Sequence, residues 1–180
     1  MIRLFLWIVG GAVLGGIVHL ATVLVLPRTA TQDAYARLAA ISPVNAFVPL
    51  PEPSAQNAPL PFMDPAFASA VCRYDLSAGS LKFSAPVSPA YTSVSFYTRN
   101  GIAYYAINDR AAGRRVIELD LMTTAQRAEL PDDEEVTAAD RLIVESPTPT
   151  GLIVLRTFAP EPGLMPMAKA SLNGAKCEKQ

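Results

Sequence analysis

Histidine is nearly absent: the 180 residues contain one, His19, and it falls inside an apolar run. The rest of the chain therefore cannot assemble a Ser-His-Asp triad, a Cys-His pair or a histidine-ligated metal site. Cysteine is scarce as well. Cys72 and Cys177 lie too far apart for a Cys-x-x-Cys redox or zinc motif, and they read either as one disulfide or as two buried thiols. Neither sign of charge is in excess, with 15 Lys and Arg against 16 Asp and Glu. That balance offers no basic surface for nucleic acid and no solvating acidic tail. There is no internal repeat and no cofactor motif, and the expectation is a protein that is not an enzyme.

What is abundant is apolar sequence at the start. Leu4 to Leu26 is an uncharged run of 23 residues, which as a helix spans roughly 34 Å, slightly more than the ~30 Å hydrocarbon core of a bilayer. The run is longer than the core of a cleavable signal, and Pro27-Arg28-Thr29 makes a poor cleavage site. An uncleaved transmembrane anchor over 1–27 is expected. The loop-charge rule sets Arg3 against Arg28 and Arg37 and opposes an exported domain. Long domains translocate largely regardless of such charges, so the expected topology has the N-terminus in the cytoplasm and the domain outside the membrane. Within the anchor, Gly11, Gly15, His19 and Thr22 recur at intervals that confine them to roughly 80° of the helix surface. Such a small, polar face suits contact with a second transmembrane helix.

Beyond the anchor remain about 150 residues, enough for one domain. Residues 28–62 read as a short helix and a spacer. Thr31 to Ile41 is amphipathic, with Tyr35 and Leu38 on one face, and seven of the sixteen prolines fall between Pro43 and Pro65, the signature of a stiff extended segment. Residues 63–180 read as a β-rich extracytoplasmic domain. Val71–Leu76 and Leu81–Ser84 are strand candidates around a Ser77–Ser80 turn. Tyr91–Arg99 and Ile102–Asn108 flank Asn100-Gly101, the best pair for a type I′ hairpin turn. That turn would set Phe96 opposite Tyr105, Val94 opposite Ile107 and Tyr97 opposite Tyr104. Asn108–Arg115 reads as a polar loop and Val116–Leu121 as a strand. Thr123–Leu130 reads as a helix capped by Thr123 or Thr124, and Pro162–Asn173 as a last helix stopped by Gly174. Arg141–Glu145 and Leu152–Phe158 are expected to pair as a second hairpin. The fold class is α+β: a single N-terminal transmembrane helix, then a compact β-rich domain with two or three short peripheral helices.

Met63-Asp64-Pro65, Cys72 to Gly79, Tyr91 to Phe96, and Asn100-Gly101 through Asn108 to Arg115 together resemble the bacterial family called domain of unknown function 1254, over nearly the whole chain. The likeness is to its short, membrane-anchored members, although Gly79-Ser80 stands where the family usually has Gly-Pro. The resemblance implies an inner-membrane protein and, as a partner, a companion protein of the domain of unknown function 1214 family. It carries over no catalytic residues.

Other constellations each have a plainer reading. Ser80 and Lys82 share a strand face, but Lys82 is more simply a solvated residue. Asp132 to Glu135 could gather a hard cation, yet they lack the alternating ligands and glycine of a calcium loop. Arg110, Arg114 and Arg115 could meet lipid headgroups or a partner's carboxylates, or merely form an exposed turn. Asp75 and Arg156 are expected to pair and fix strand register. Two functions fit: an interaction or accessory subunit of a membrane assembly, or a small-ligand or lipid-binding module with a pocket lined by Phe96 and Tyr105.

Overall fold

The structure is a computed structural model that describes residues 1–29, 33–54, 58–112, 115–130 and 142–180. The chain divides into two units, Met1–Asp33 and Ala34–Gln180.

The first unit is one helix, α1 (Ile2–Thr29). Its stretch Ile2–Leu26 has a mean hydropathy of 2.2 over its apolar window and is long and apolar enough to cross a membrane. The Thr22 hydroxyl donates to the Val18 carbonyl at 2.8 Å. This satisfies a polar group that would otherwise be costly in hydrocarbon.

The second unit is built from two sheets. The five-stranded sheet has the order β1-β2-β8-β4-β5, from β1 (Phe47–Pro49), β2 (Phe67–Asp75), β8 (Thr150–Phe158), β4 (Thr92–Thr98) and β5 (Ala103–Asn108). The four-stranded sheet has the order β7-β6-β3-β9, from β7 (Leu142–Ser146), β6 (Val116–Thr123), β3 (Leu81–Pro86) and β9 (Lys176–Lys179). Alternation explains why these stretches are strands with one inner face. In β4 every second residue from Thr92 to Thr98 is buried, and in β3 Leu81, Phe83 and Ala85 are buried while Lys82 is exposed. The inner faces share one core, in which Tyr74, Phe83, Phe96, Leu119, Ile153 and Leu155 are almost wholly buried. Cys72 on β2 and Cys177 on β9 are bridged across it, with Cα atoms 6.5 Å apart. α5 (Met165–Leu172), after a 3-10 turn at Pro162–Leu164, packs Ala168 and Leu172 onto the same core.

The other face of the five-stranded sheet is partly covered by the segment expected to be a spacer. α2 (Ala34–Leu38) buries Tyr35 and Leu38 with Leu50, Val71, Leu152 and Val154, and Leu60 and Met63 pack alongside. β1 pairs antiparallel with β2, with Phe47 opposite Cys72. The folded unit thus begins at Ala34 rather than at residue 63, because apolar residues lie between the prolines and Pro49 ends an edge strand that tolerates a missing donor. Residues 30–32, where the expected helix starts, lie outside the described residues.

Three further differences concern connections. The β4–β5 turn is not type I′. Gly101 N–H donates to the Thr98 carbonyl at 3.0 Å, and among these turn residues only Gly101 has positive φ, at 79°. This is a three-residue loop closed by a glycine bulge. Phe96 does face Tyr105 and Val94 does face Ile107, but Tyr97 faces Ala103, because the register shifts between Phe96 and Tyr97. β7 and β8 do not form a hairpin: β7 runs parallel to β6 in the other sheet. Pro147 and Pro149 lack ladder donors, and the link folds on itself, Ser146 Oγ donating to the Thr148 carbonyl at 2.6 Å and Thr148 Oγ1 to the Thr150 carbonyl at 2.8 Å. Asp75 and Arg156 are not a pair, since Asp75 faces Thr150 while Arg156 faces Ser69, six positions along the same ladder.

The expected cap at Thr123 is present. α4 (Thr124–Ala128) carries a capping box in which Gln126 N–H donates to Thr123 Oγ1 at 3.2 Å and Thr123 N–H to Gln126 Oε1 at 2.9 Å. The polar loop after β5 contains one further turn of helix, α3 (Asp109–Ala112), where Asn108 Oδ1 accepts the Ala111 amide at 3.0 Å.

Candidate functional site

Two places gather side chains with chemistry. The first is a buried hydroxyl cluster where β2, β5 and β7 converge. Tyr74 Oη lies 2.9 Å from Ser146 Oγ, 3.1 Å from Tyr104 Oη and 3.2 Å from the Tyr97 carbonyl oxygen. The register shift beside Tyr97 leaves Tyr104 free of a direct cross-strand partner and lets it reach this cluster. Burial pushes the Tyr104 hydroxyl far above the ordinary phenol range, with the nearby Tyr74 adding to the effect. A phenol held neutral in this way takes part in the hydrogen-bonded cluster with Tyr74 and Ser146. Phe96 fills the adjacent space: its ring centroid is 6.2 Å from Phe83, 6.3 Å from Tyr104 and 5.7 Å from Tyr105. Of the two residues expected to line an internal pocket, Phe96 is buried in the core and Tyr105, partly buried, packs against it.

The second place is the covered flank. The Arg73 guanidinium carbon is 4.3 Å from the centroid of the Tyr35 ring, and that of Arg99 is 4.2 Å from it. Arg73 also donates from Nη1 to the Ser42 carbonyl at 3.0 Å. These cation–π contacts anchor α2 on the sheet. Sequence reasoning missed the stack because Arg73 sits on β2 and Arg99 in the β4–β5 turn, and nothing local links either to Tyr35.

The residues singled out from the sequence fall in separate places. Gly11, Gly15, His19 and Thr22 lie on α1, and a Cβ added at Gly11 or Gly15 would meet nothing within 4 Å. Arg110 lies in α3 and Arg115 just before β6, both exposed, with the Arg115 carbonyl accepting the Val87 amide at 2.8 Å. Arg114, Asp132 to Glu135 and Arg141 lie outside the described residues. Among the described residues no group of three or more His, Cys, Asp or Glu could hold a metal ion.

A family model described as protein of unknown function (DUF1254) matches residues 44–179, and this chain belongs to that family. Its fold is similar to that of the VPA0106 protein from Vibrio parahaemolyticus, at a TM-score of 0.58 and 14% identity, over 81% of this chain and 34% of that one. A protein from Burkholderia cenocepacia gives a TM-score of 0.47 and 16% identity over 81% of this chain and 36% of its own. This chain thus spans about a third of the length of these two solved structures. No curated protein matches it.

Proposed function

We propose that this chain is a single-pass protein of the bacterial inner membrane, with its N-terminus in the cytoplasm and its folded domain in the periplasm. The domain is a non-catalytic accessory subunit of a membrane assembly. The observation that carries the reading is α1, whose stretch Ile2–Leu26 is apolar enough to span a bilayer and whose Gly11, Gly15 and His19 share one face. The Thr22 hydroxyl, already bonded within the helix, contributes little to that face. The partner is a second transmembrane helix, from another copy of the chain or from the companion 1214 family. The Cys72–Cys177 bridge supports the periplasmic placement, because disulfides persist in oxidising compartments.

Topology and helix pairing are tested together. Alkaline phosphatase fused after Gln180 should be active and a cytoplasmic reporter at the same place dark; the reverse pattern inverts the orientation. Single cysteines placed through Val9 to Val23 should crosslink most strongly on the glycine face, and Gly15→Leu should abolish the peak. A flat profile would reduce α1 to an anchor.

A further inference from the structure

A cavity of about 170 Å³ opens beside the five-stranded sheet, between β2, β8 and residues 60–64. Leu50, Leu60, Met63, Phe67 and Val154 give it an apolar wall, and two charged side chains reach it, Arg156 from β8 and Asp64 from the loop before β2. These charges do not pair with each other. Asp64 Oδ1 accepts the Ala66 amide at 2.9 Å, and Arg156 has neither a hydrogen bond nor an ion pair among the described residues. The register sets Arg156 between Ser69 and Ser93, whose short side chains leave its guanidinium exposed. Phe62 stands at the rim with φ at 59°, a backbone conformation uncommon for a residue with a side chain. Its ring is fully exposed, while the next residue, Met63, packs inward.

We propose that this cavity binds a free α-amino acid with an apolar side chain, its carboxylate on Arg156, its ammonium on Asp64 and its side chain against the apolar wall. A cavity of roughly 150 Å³ lined by apolar residues accommodates benzene, so this one has room for a side chain of leucine or phenylalanine size. The planar guanidinium fork suits a carboxylate, and the Asp64 oxygen left over from the Ala66 amide suits an ammonium. A simple anion would be repelled by Asp64 and a simple cation by Arg156. A neutral apolar molecule would use neither charge. Only a zwitterion with an apolar body uses the whole lining. This goes beyond the accessory role, which needs no ligand.

The test is equilibrium dialysis of labelled leucine and phenylalanine against the full chain in nanodiscs of zwitterionic lipid, with empty nanodiscs as the blank. Saturable binding is expected, at least tenfold weaker for isoamylamine and for 4-methylpentanoate, which each lack one of leucine's two charges. Arg156→Gln and Asp64→Asn should each weaken leucine binding at least tenfold, with an unchanged melting temperature showing that the fold is intact. No saturable binding of either amino acid would overturn the proposal, as would leucine binding indifferent to Arg156→Gln. Equal affinity for leucine and 4-methylpentanoate would overturn it too, by making the site one for monocarboxylates.

Discussion

Gly101 and Gly151 both stand beside turns, yet they are required for unrelated reasons. Gly101 closes the β4–β5 loop at φ 79°, and a Cβ there would meet nothing within 4 Å. Gly151 lies within β8 with no such φ, and a Cβ there would stand 2.2 Å from the Tyr97 carbonyl oxygen and 2.3 Å from the Tyr74 hydroxyl. One glycine is needed for its backbone, the other for the space it leaves. The difference follows from position. The β4–β5 turn stays within one sheet and leaves Gly101 exposed, whereas the β7–β8 link carries the chain from one sheet to the other, over the hydroxyl cluster of Tyr74, Tyr104 and Ser146.

The largest effect should come from Gly151. Even Gly151→Ala must push apart a backbone carbonyl and a fully buried tyrosine, so it should cost at least about 4 kcal/mol, in the range that marks a structural rearrangement rather than ordinary repacking. For a domain of this size that lowers the melting temperature by roughly 8 °C or more. A melting temperature within 2 °C of wild type would mean that the corner relaxes freely and that the contrast with Gly101 is false.

Gly101 should give a smaller and different response. Gly101→Val places a β-branched residue at positive φ with nothing to strike, at a cost of about 2 kcal/mol from backbone strain alone. Asn100→Asp should be within about 0.5 kcal/mol of wild type, since Asn100 does not need positive φ in the observed turn. Equal melting temperatures for Gly101→Val and wild type would remove the assigned turn.

The same contrast explains what could be read from the sequence. Asn100-Gly101 announces a turn between two alternating runs, and the pairs Phe96–Tyr105 and Val94–Ile107 follow from it. The α1 run and the Thr123 cap are equally local signals. Gly151 has no local signature, because its constraint comes from Tyr74, more than seventy positions away in the chain. The allocation of β7 and β8 to different sheets is hidden for the same reason: the sequence around Pro147 and Pro149 marks a turn without naming the partner strand. β9 has four residues, of which only Cys177 is buried, too few for a period to emerge. The flank over the sheet was masked by its prolines, and the Arg156–Asp64 cavity depends on bringing β8 beside the loop before β2.

The smallest effect belongs to the polar edge of the Gly151 corner, where Asp75 faces Thr150. The Asp75 carboxylate accepts the Ser77 hydroxyl at 2.6 Å and the Ser77 amide at 2.9 Å, and these bonds hold its carboxyl below the usual carboxylate range. A group whose pKa is lower folded than unfolded binds fewer protons in the folded state, so its contribution is complete above the unfolded value, near 3.9 for aspartate. The contribution is lost as the pH falls from there through the folded value. Asp75 is only partly buried, so the increment is small, and it should be visible as a titration shift before it is visible as a melting shift. In Ser77→Ala the larger of the two bonds is gone and the Asp75 pKa should move up toward the ordinary value, while the amide bond keeps it from arriving. Carboxyl carbon chemical shifts of Asp75 followed with pH in both proteins make the measurement. If the two titrate together, the turn at the end of β2 is held by something other than Asp75, and the polar edge of this corner contributes nothing to its difference from the Gly101 turn.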